Sequence, residues 1–253
     1  MDLGLKGKKV IVNGGARGLG LAMLQRFAAE GCDVAFFGRD PAKVSAALDS
    51  LKSHGGKAIG EAFDMSLDHQ AYRDWLTNAA EKLGGCDVFI HNASSSGAGA
   101  TTDWQKTFDL DIMGAVGGVE ALTPALTASG SGSIVLMSST AAVETFIVPQ
   151  AFNALKAALL TYGKQLSQAL APQNIRVNCV TPGPVEYPGG NWEMIKGAMP
   201  DFYNATQAAV PLGRLGAPDD VAAAVVFLCS PVANYITGTN IVIDGGYTKR
   251  VQF

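Results

Sequence analysis

Strand-like apolar runs alternate with helix-like stretches along this chain of 253 residues, and the alternation predicts an α/β fold. The runs are apolar throughout, which is typical of strands buried on both faces of a parallel sheet. With 48% hydrophobic and 16% charged residues, the chain can bury a substantial core. We therefore expect a doubly wound parallel sheet of about seven strands flanked by helices, in a single domain covering residues 1–253.

The individual elements follow from these runs in chain order. The predicted strands are Lys9–Val12, Asp33–Phe37, Lys57–Phe63, Val88–His91, Ser133–Met137, Arg176–Val180 and Asn240–Ile243. The predicted helices are Leu19–Glu30, Pro41–His54, Ser66–Leu83, Asp103–Leu126, Ala151–Ala171 and Pro218–Cys229. Asp219 or Asp220 is expected to cap the last helix.

Residues 182–211 break the alternation of strands and helices. Prolines interrupt this stretch, and Tyr187, Trp192 and Tyr203 within it are expected to be exposed. Long irregular connections in compact domains often carry function, so we interpret residues 184–211 as a substrate lid. An ordinary surface insertion is the alternative.

Charge and cysteine content narrow the class of protein. A net charge of −3 and a pI near 5.6 leave no basic stripe, so neither nucleic acid nor an anionic membrane is an expected partner. The four cysteines lie far apart without a C-x-x-C pair, so we expect neither a metal site nor a disulfide. The first residues lack the apolar stretch of a signal peptide, and no run is long enough to span a membrane. These observations favour a cytoplasmic protein.

A glycine-rich string directly follows the first predicted strand and leads into a helix. Glycines allow the backbone to approach a pyrophosphate, and a helix N-terminus favours negative charge. In a βαβ unit this pattern predicts dinucleotide binding and a Rossmann-like sheet. The residues of the string assigned to the cofactor are Asn13, Gly14, Gly15, Arg17, Gly18, Leu19 and Gly20.

The end of the second strand indicates which dinucleotide is bound. NAD enzymes usually present a carboxylate there to the ribose diol, whereas this chain has Gly38-Arg39. A guanidinium can pair with a 2′-phosphate, and Arg17 adds a second positive charge. We therefore expect NADP(H) rather than NAD(H), although Asp40 lies next to Arg39.

Later motifs extend the pattern: His91-Asn92-Ala93-Ser94, the Ser138-Ser139 pair, Pro182-Gly183 and Ile243-Asp244-Gly245-Gly246. With the glycine string, they resemble the short-chain dehydrogenase/reductase family, of the type that includes 3-oxoacyl-carrier-protein reductases. The resemblance covers nearly the whole chain and implies a small-molecule oxidoreductase. It assigns further residues to the cofactor, namely Asp64, Met65, Asn92, Ala93, Lys156, Pro182, Gly183 and Val185.

The same resemblance implies four catalytic positions. The family uses an Asn that holds a water relay, a Ser that polarises the carbonyl, a Tyr that donates the proton, and a Lys that lowers the pKa of the Tyr. Ser139 and Lys156 match, but Asp111 replaces the Asn and Phe152 replaces the Tyr. Phenylalanine can neither donate nor accept a proton, so the family's acid step does not transfer to this chain.

Several side chains are candidates for the missing proton source. We favour Lys156 acting through water, with the Asp111 carboxylate nearby keeping it positively charged. Glu144 and Tyr187 are candidates at the substrate pocket, although a solvated loop carboxylate and a lid aromatic packed on the pocket are the favoured interpretations. His91 is expected at a strand end beneath the nicotinamide, where a structural role is favoured over that of an acid. Ser94 and Trp192 complete the predicted pocket. The 93–100 stretch, Met194 and Met199 suggest that it is fairly apolar.

Three functions follow from these residues. The first is an NADP(H)-dependent oxidoreductase with an altered proton path, acting on a carbonyl, iminium or enone compound. The second is a lyase or isomerase on the same scaffold that uses Asp111, Glu144 or Lys156 for proton transfer. The third is a non-catalytic NADP(H)-binding protein. The resemblance also implies a homotetramer or homodimer formed through helices 103–126 and 151–171.

Overall fold

Parallel strands form one seven-stranded sheet in the computed structural model, which describes residues 2–66, 68–95, 102–145 and 149–251. Their order across the sheet is β3-β2-β1-β4-β5-β6-β7, and each neighbouring pair is parallel. Successive strands are added on one side of β1 up to β3 and on its other side from β4 onward, so the strand order reverses between β1 and β4. Such a switch point is where open parallel sheets bind ligands. The strands are β1 Lys9–Asn13, β2 Asp33–Gly38, β3 Ala58–Ala62, β4 Val88–His91, β5 Gly132–Met137, β6 Ile175–Pro182 and β7 Asn240–Ile243.

Helices cover both faces of the sheet, as the apolar strands predict. On one face α1 packs against α9, and on the other α3 packs against α5, each pair closing over a separate buried core. The helices are α1 Gly18–Ala29, α2 Pro41–Leu51, α3 His69–Leu83, α4 Trp104–Thr107, α5 Gly114–Ala128, α6 Ala151–Leu170, α7 Asn191–Ala198, α8 Pro200–Ala209 and α9 Pro218–Cys229. Short 3-10 turns lie at Lys52–His54, Thr140–Ala142, Ala171–Gln173 and Pro231–Ala233.

The predicted strands and fold class are confirmed, with bounds that move by one or two residues. One predicted helix differs in kind: a π-helical segment, Phe108–Met113, separates α4 from α5 within residues 103–126. Helix α3 begins at His69 because the Asp68 carboxylate caps it. At the start of α9, Asp220 accepts a hydrogen bond from the Ala217 backbone N–H at 2.7 Å.

The predicted lid contains α7 and α8, and one expectation about it is wrong. Tyr203 is buried, because its hydroxyl donates to Glu186 at 2.6 Å and the Lys196 ammonium lies 4.9 Å above its ring. Trp192 stacks on Phe202 with ring centroids 6.0 Å apart. The lid therefore has a small aromatic and charged core of its own.

The described part of the chain has no helix that is both long enough and apolar enough to cross a membrane. All four cysteines are buried free thiols. Within the same residues, no group of three or more His, Cys, Asp or Glu side chains could hold a metal ion.

Candidate active site

A cavity of about 900 Å³ lies at the carboxyl edge of the sheet, where the strand ends on either side of the switch point meet. It runs from the glycine-rich string to the start of α7. The predicted site residues that line it are Gly14, Arg17, Leu19, Gly38, Arg39, Asp64, Met65, Asn92, Ala93, Ser94, Ser139, Phe152, Lys156, Pro182, Gly183, Val185, Tyr187 and Trp192. Asn13, Gly15, Gly18, Gly20, Asp111 and Glu144 were predicted at the site but do not line this cavity.

The glycine string is packed too tightly for larger residues. A β-carbon at Gly20 would lie 2.2 Å from the Gly14 carbonyl oxygen, so the turn closes only with glycine there. Gly14 has φ +73°, and the Asn92 side-chain amide donates to its carbonyl at 2.8 Å. This arrangement brings the loop backbone and the N-terminus of α1 to the cavity floor, a cradle suited to a pyrophosphate.

Asn13 acts beneath this cradle as a structural connector. Its side-chain oxygen accepts hydrogen bonds from the backbone N–H groups of Asn92 at 2.6 Å and Ala93 at 2.8 Å. Its side-chain nitrogen bonds the Tyr72 hydroxyl and Nδ1 of His91, both at 2.8 Å. Asn13 is fully buried, so it positions the loop from below rather than touching a ligand.

Near the end of β2, the Arg39 side chain is exposed at the cavity, whereas the carboxylate of the next residue, Asp40, is held by hydrogen bonds. Asp40 caps α2 by accepting from the backbone N–H groups of Ala42 and Lys43, and it also pairs with the Lys43 ammonium at 3.4 Å. The carboxylate next to Arg39 is therefore already engaged. Arg39 and Lys43 both line the cavity, which places two cations where a 2′-phosphate is expected.

Arg17, the other predicted phosphate ligand, has a different partner. Its Nη1 donates to the carbonyl oxygen of Gly189 at 2.9 Å, although the two residues are 172 positions apart. Glu193 accepts from the Gly189 backbone N–H at 2.7 Å. Arg17 thus connects the glycine string to the start of the lid.

A buried ion pair lies at the other end of the cavity, called the catalytic end below; Lys156 lines the cavity and Asp111 lies behind it. Lys156 Nζ lies 2.8 Å from Asp111 Oδ1 and donates to the Met137 carbonyl oxygen at 2.7 Å. Asp111 also accepts from the Ser94 hydroxyl at 2.7 Å and the Ser95 backbone N–H at 2.9 Å. Both members of the pair are almost inaccessible, with side-chain exposures of 3% and 0%. The pairing predicted from the sequence is present.

The environment of Asp111 decides its charge. Burial alone would raise the pKa of this carboxyl, but the Lys156 ammonium and the hydrogen bonds from Ser95 and Ser94 lower it below its usual value. Asp111 is therefore an ionised carboxylate with each oxygen occupied. It holds Lys156 in place and does not itself line the cavity.

The π-helical segment Phe108–Met113 explains how a carboxylate reaches this position. A π-turn widens the helix and is common at functional sites, because it rotates one side chain away from the regular helical face. Asp111 is the buried charged residue of the segment. The segment thus directs Asp111 inward, toward α6 and Lys156.

His91 supports the same segment from β4. Its Nδ1 accepts from Asn13, and its Nε2 donates to the Asp111 carbonyl oxygen at 3.1 Å. Burial, and then the charge on Lys156, lower its pKa to about 4, so the ring is neutral near neutral pH. With both ring nitrogens engaged and no exposure, His91 has the structural role that was predicted ahead of an acid role.

Ser139 and Phe152 face the cavity beside the ion pair. The Ser139 oxygen accepts from the Ala141 backbone N–H at 3.2 Å, which leaves its own proton free to donate. The Lys156 ammonium lies 5.7 Å from the centre of the Phe152 ring, close enough for a cation–π contact. The structure therefore puts an aromatic face where the resembling family has a phenol hydroxyl.

The substrate side of the cavity differs in part from expectation. Glu144 accepts a hydrogen bond from the Lys249 backbone and so anchors the C-terminal segment. Met194 and Met199 are about half exposed and do not line the cavity, so the expectation that they form an apolar pocket is wrong. Residues 96–100 of the 93–100 stretch lie outside the described residues.

Several cavity residues were missed by the sequence reasoning. Asn191 and Ile195 lie on α7, Lys43 lies in the first turn of α2, and Tyr247 follows β7. Tyr247 had a usable signal, because residues just beyond the carboxyl end of a parallel strand lie at the ligand-binding edge.

A parallel sheet with a glycine cradle at its switch point, and a Ser–Lys pair in the same cavity, defines a dinucleotide-binding α/β protein of the Rossmann type. Residues 14–248 match the family model described as enoyl-(acyl carrier protein) reductase. The chain belongs to the short-chain dehydrogenase/reductase family, whose members are oxidoreductases.

Individual relatives are similar over their full lengths. Isoepoxydon dehydrogenase patN of Aspergillus clavatus is 38% identical over 98% of this chain and 98% of its own. A crystal structure of L-sorbose reductase from Gluconobacter frateurii, complexed with NADPH and L-sorbose, has a TM-score of 0.88 and is 30% identical, with 99% of this chain and 100% of that chain covered. A 7α-hydroxysteroid dehydrogenase complexed with NADH and 7-oxo glycochenodeoxycholic acid has a TM-score of 0.88 at 26% identity, covering 97% and 96%.

Proposed function

We propose that this protein is an NADP(H)-dependent oxidoreductase that transfers a hydride to or from a small carbonyl, imine or enone compound without a proton donor at residue 152. The observation that carries the proposal is that the glycine cradle, Ser139 and Lys156 line one continuous cavity. A dinucleotide on the cradle would therefore share its cavity with the residues that act on a substrate.

The residues at the cradle fit a nicotinamide dinucleotide. A β-carbon at Gly14 or Gly20 would meet neighbouring protein atoms, so only glycine allows the tight turn that brings Gly14 to the cavity, as a pyrophosphate cradle requires. Arg39 and Lys43 would hold the 2′-phosphate, and the engagement of Asp40 as a helix cap removes a competing carboxylate. L-sorbose reductase, a structural relative complexed with NADPH, supports the same choice. When bound, the reduced dinucleotide supplies the hydride.

Lys156 and Ser139 would serve the reacting oxygen. An ammonium has three donors, of which Asp111 and Met137 take two, so one remains for the cavity. The free Ser139 proton is a second donor. Hydrogen bonds placed where negative charge develops are each worth about 10²- to 10³-fold in rate, so these two groups can support reduction of a carbonyl.

Phe152 would exclude water and restrict the chemistry. General acid catalysis typically supplies about 10²- to 10⁴-fold, and the ring cannot provide it. Hydride addition turns an iminium into a neutral amine, which needs no proton, and turns an activated enone into a stabilised enolate that water can protonate, so both tolerate the loss. Unactivated ketones are expected to react more slowly than these compounds.

The proposal is tested by following hydride transfer from C4-deuterated NADPH to a panel of ketones, iminium salts and enones. We expect deuterium in the product and a preference for the last two classes. Lys156→Met should abolish transfer, whereas Lys164→Met, an exposed lysine on the same helix, should leave it unchanged. Absence of deuterium transfer to every member of the panel would overturn the proposal.

Assays with the same protein and variants distinguish the two other candidate functions from the proposed one. Turnover that continues after all nicotinamide is removed would indicate a lyase or isomerase, although Asp111 is poorly suited to proton transfer because it does not line the cavity. Tight NADPH binding with no turnover, followed by activity in Phe152→Tyr, would indicate a non-catalytic binding protein.

A further inference from the structure

The cavity has one wall that the proposed function does not use, formed by the turn after β7. Tyr247 of this turn lines the same cavity as Ser139 and Phe152 and is half-buried. Among the described residues, its hydroxyl has no hydrogen-bond partner. A phenol at a cavity wall with its donor unused can bind a ligand oxygen.

The turn that carries Tyr247 is rigid. Gly245 and Gly246 have φ values of +65° and +84°, which other residues rarely adopt, and together they reverse the chain. The Asp244 carboxylate closes the turn by accepting from the Gly246 backbone N–H at 2.9 Å and from the Thr248 backbone N–H and hydroxyl, both at 2.8 Å. The position of Tyr247 is therefore set by the backbone.

Backbone hydrogen bonds before and after Tyr247 hold its turn in place beside the cavity. On one side, the Leu212 backbone N–H donates to the Gly245 carbonyl oxygen at 3.2 Å, which ties the turn to the end of the lid. On the other side, Glu144, in the segment after β5, accepts from the Lys249 backbone N–H. The turn that carries Tyr247 is thus attached through Gly245 and Lys249 to two other segments of the chain.

The other phenol at the cavity, Tyr187, lies at the glycine cradle. The Tyr187 ring lies over the glycine cradle, since a β-carbon at Gly18 would be 2.6 Å from its ring and 3.1 Å from its hydroxyl oxygen. A β-carbon at Gly190 would lie 3.0 Å from the same ring. Tyr187 would therefore border a dinucleotide held on the cradle, and of the two cavity phenols described, Tyr247 is the one left for a substrate.

The surroundings of Tyr247 suit hydrogen bonding better than proton transfer. Burial and the Glu144 carboxylate raise the pKa of its phenol, so the hydroxyl stays protonated through neutral pH. A phenol made less acidic is a poor proton source, but it remains a competent hydrogen-bond donor. Ser139 and Lys156 already serve the reacting oxygen in the proposed function.

We propose that Tyr247 is a specificity-determining residue whose hydroxyl donates a hydrogen bond to a second oxygen of the substrate, remote from the reacting carbon. This inference rests on the proposed function and narrows its substrate class. The preferred substrates are small ketones or enones that carry an additional hydroxyl or carbonyl oxygen.

The test compares Tyr247→Phe with Tyr235→Phe, which removes the same hydroxyl from a side chain that is 99% exposed. The probes are cyclohexanone and 4-hydroxycyclohexanone, which differ by one hydroxyl group, with NADPH as the hydride donor. In Tyr247→Phe, kcat/KM for 4-hydroxycyclohexanone should fall about 3- to 10-fold, the value of one neutral hydrogen bond. The value for cyclohexanone, and both values in Tyr235→Phe, should not change.

A binding measurement decides the matter even if neither ketone is reduced. The protein is labelled with ¹³C at the tyrosine Cζ, and the Tyr247 resonance is identified as the one that is missing from the spectrum of Tyr247→Phe. In the wild-type protein this resonance should shift when 4-hydroxycyclohexanone is added and should not shift when cyclohexanone is added. Equal shifts, or no shift, overturn the role of Tyr247. An equal loss of kcat/KM for both ketones would also overturn the role of Tyr247.

NADPH binding provides the control for the proposed function. The affinity for NADPH, followed by its fluorescence, should be the same in both variants. A wild-type protein that binds no NADPH would instead refute the proposed function.

Discussion

The two ends of the cavity are built on different principles. At the dinucleotide end, backbone geometry dominates: Gly14 and Gly20 close a turn that admits no side chain, and Asn13 holds it from below. At the catalytic end, side-chain chemistry dominates, and Asp111 and Phe152 depart from the family pattern. The comparison teaches that a cofactor cradle can be kept while residues at the other end of the cavity change, because the cradle depends on glycines and backbone geometry rather than on those side chains.

The largest effect expected from breaking the catalytic end is on stability. Asp111→Ala leaves the Lys156 ammonium buried without its carboxylate, and loss of one partner of a buried pair costs about 3 to 5 kcal/mol in the free energy of unfolding. Urea denaturation measures this change. Asp111→Asn, which restores the family's residue, should cost less because it retains hydrogen-bonding groups.

A neighbouring carboxylate gives the control for this prediction. Asp109 lies in the same π-helical segment but is partly exposed, so Asp109→Ala should change the free energy of unfolding by no more than about 0.5 kcal/mol. If Asp111→Ala were equally mild, the ion pair would not be the structural centre of the catalytic end.

The connection between the two ends, through His91, predicts a pH dependence. The folded-state pKa of His91 is lowered from 6.5 to about 4, so between these pH values the unfolded chain binds more protons. The contribution of His91 to the free energy of unfolding is therefore fully present above about pH 6.5. It is lost as the pH falls toward 4, and the loss amounts to up to about 3 kcal/mol. Urea denaturation from pH 4 to 8 should show this slope.

Substitution of His91 tests how much of this pH dependence of stability is due to His91 rather than to other titrating groups. His91→Asn should flatten the dependence between pH 4 and 6.5, whereas His54→Asn, at an exposed histidine, should leave it unaltered. An unchanged slope in His91→Asn would mean that other groups dominate acid unfolding.

At the dinucleotide end, Gly20→Ala inserts a methyl group against the Gly14 carbonyl oxygen. Overpacking of this kind costs about 1 to 3 kcal/mol, which corresponds to roughly 5- to 150-fold weaker NADPH binding if the loop shifts to relieve the clash. Gly197→Ala adds the same methyl group in open space on α7 and should not weaken binding. Equal affinities in the two variants would contradict the cradle.

The smallest effect concerns the choice of dinucleotide. Arg39→Ser should reduce the preference for NADPH over NADH by roughly tenfold, because an exposed charge-assisted contact to the 2′-phosphate is lost. Arg17→Gln should change the preference less, since Arg17 is bound to the Gly189 carbonyl oxygen. The ratio of NADPH to NADH dissociation constants checks both, and a larger effect at Arg17 would reverse the assignment.

The predictions from sequence succeeded where the signal was local. The strands, the glycine string and the Ser139 and Lys156 positions follow from short motifs and apolar runs. Tyr203 was predicted to be exposed and is buried, because Glu186 accepts its hydroxyl proton and Lys196 covers its ring, and both residues lie outside the helix that carries it. Arg17 was assigned to a phosphate, and its contact with Gly189 could not be read from a motif 172 residues away.

The sequence by itself determined the fold class, the dinucleotide cradle and the absence of a phenol at residue 152, because each depends on residue type and spacing within a short segment. The tertiary structure alone decided that both Asp111 oxygens are occupied, that Tyr187 borders the cradle and that Tyr247 faces the cavity. These facts depend on side chains brought together from distant segments when the strand ends meet at one edge of the sheet. Local spacing carries no information about such encounters.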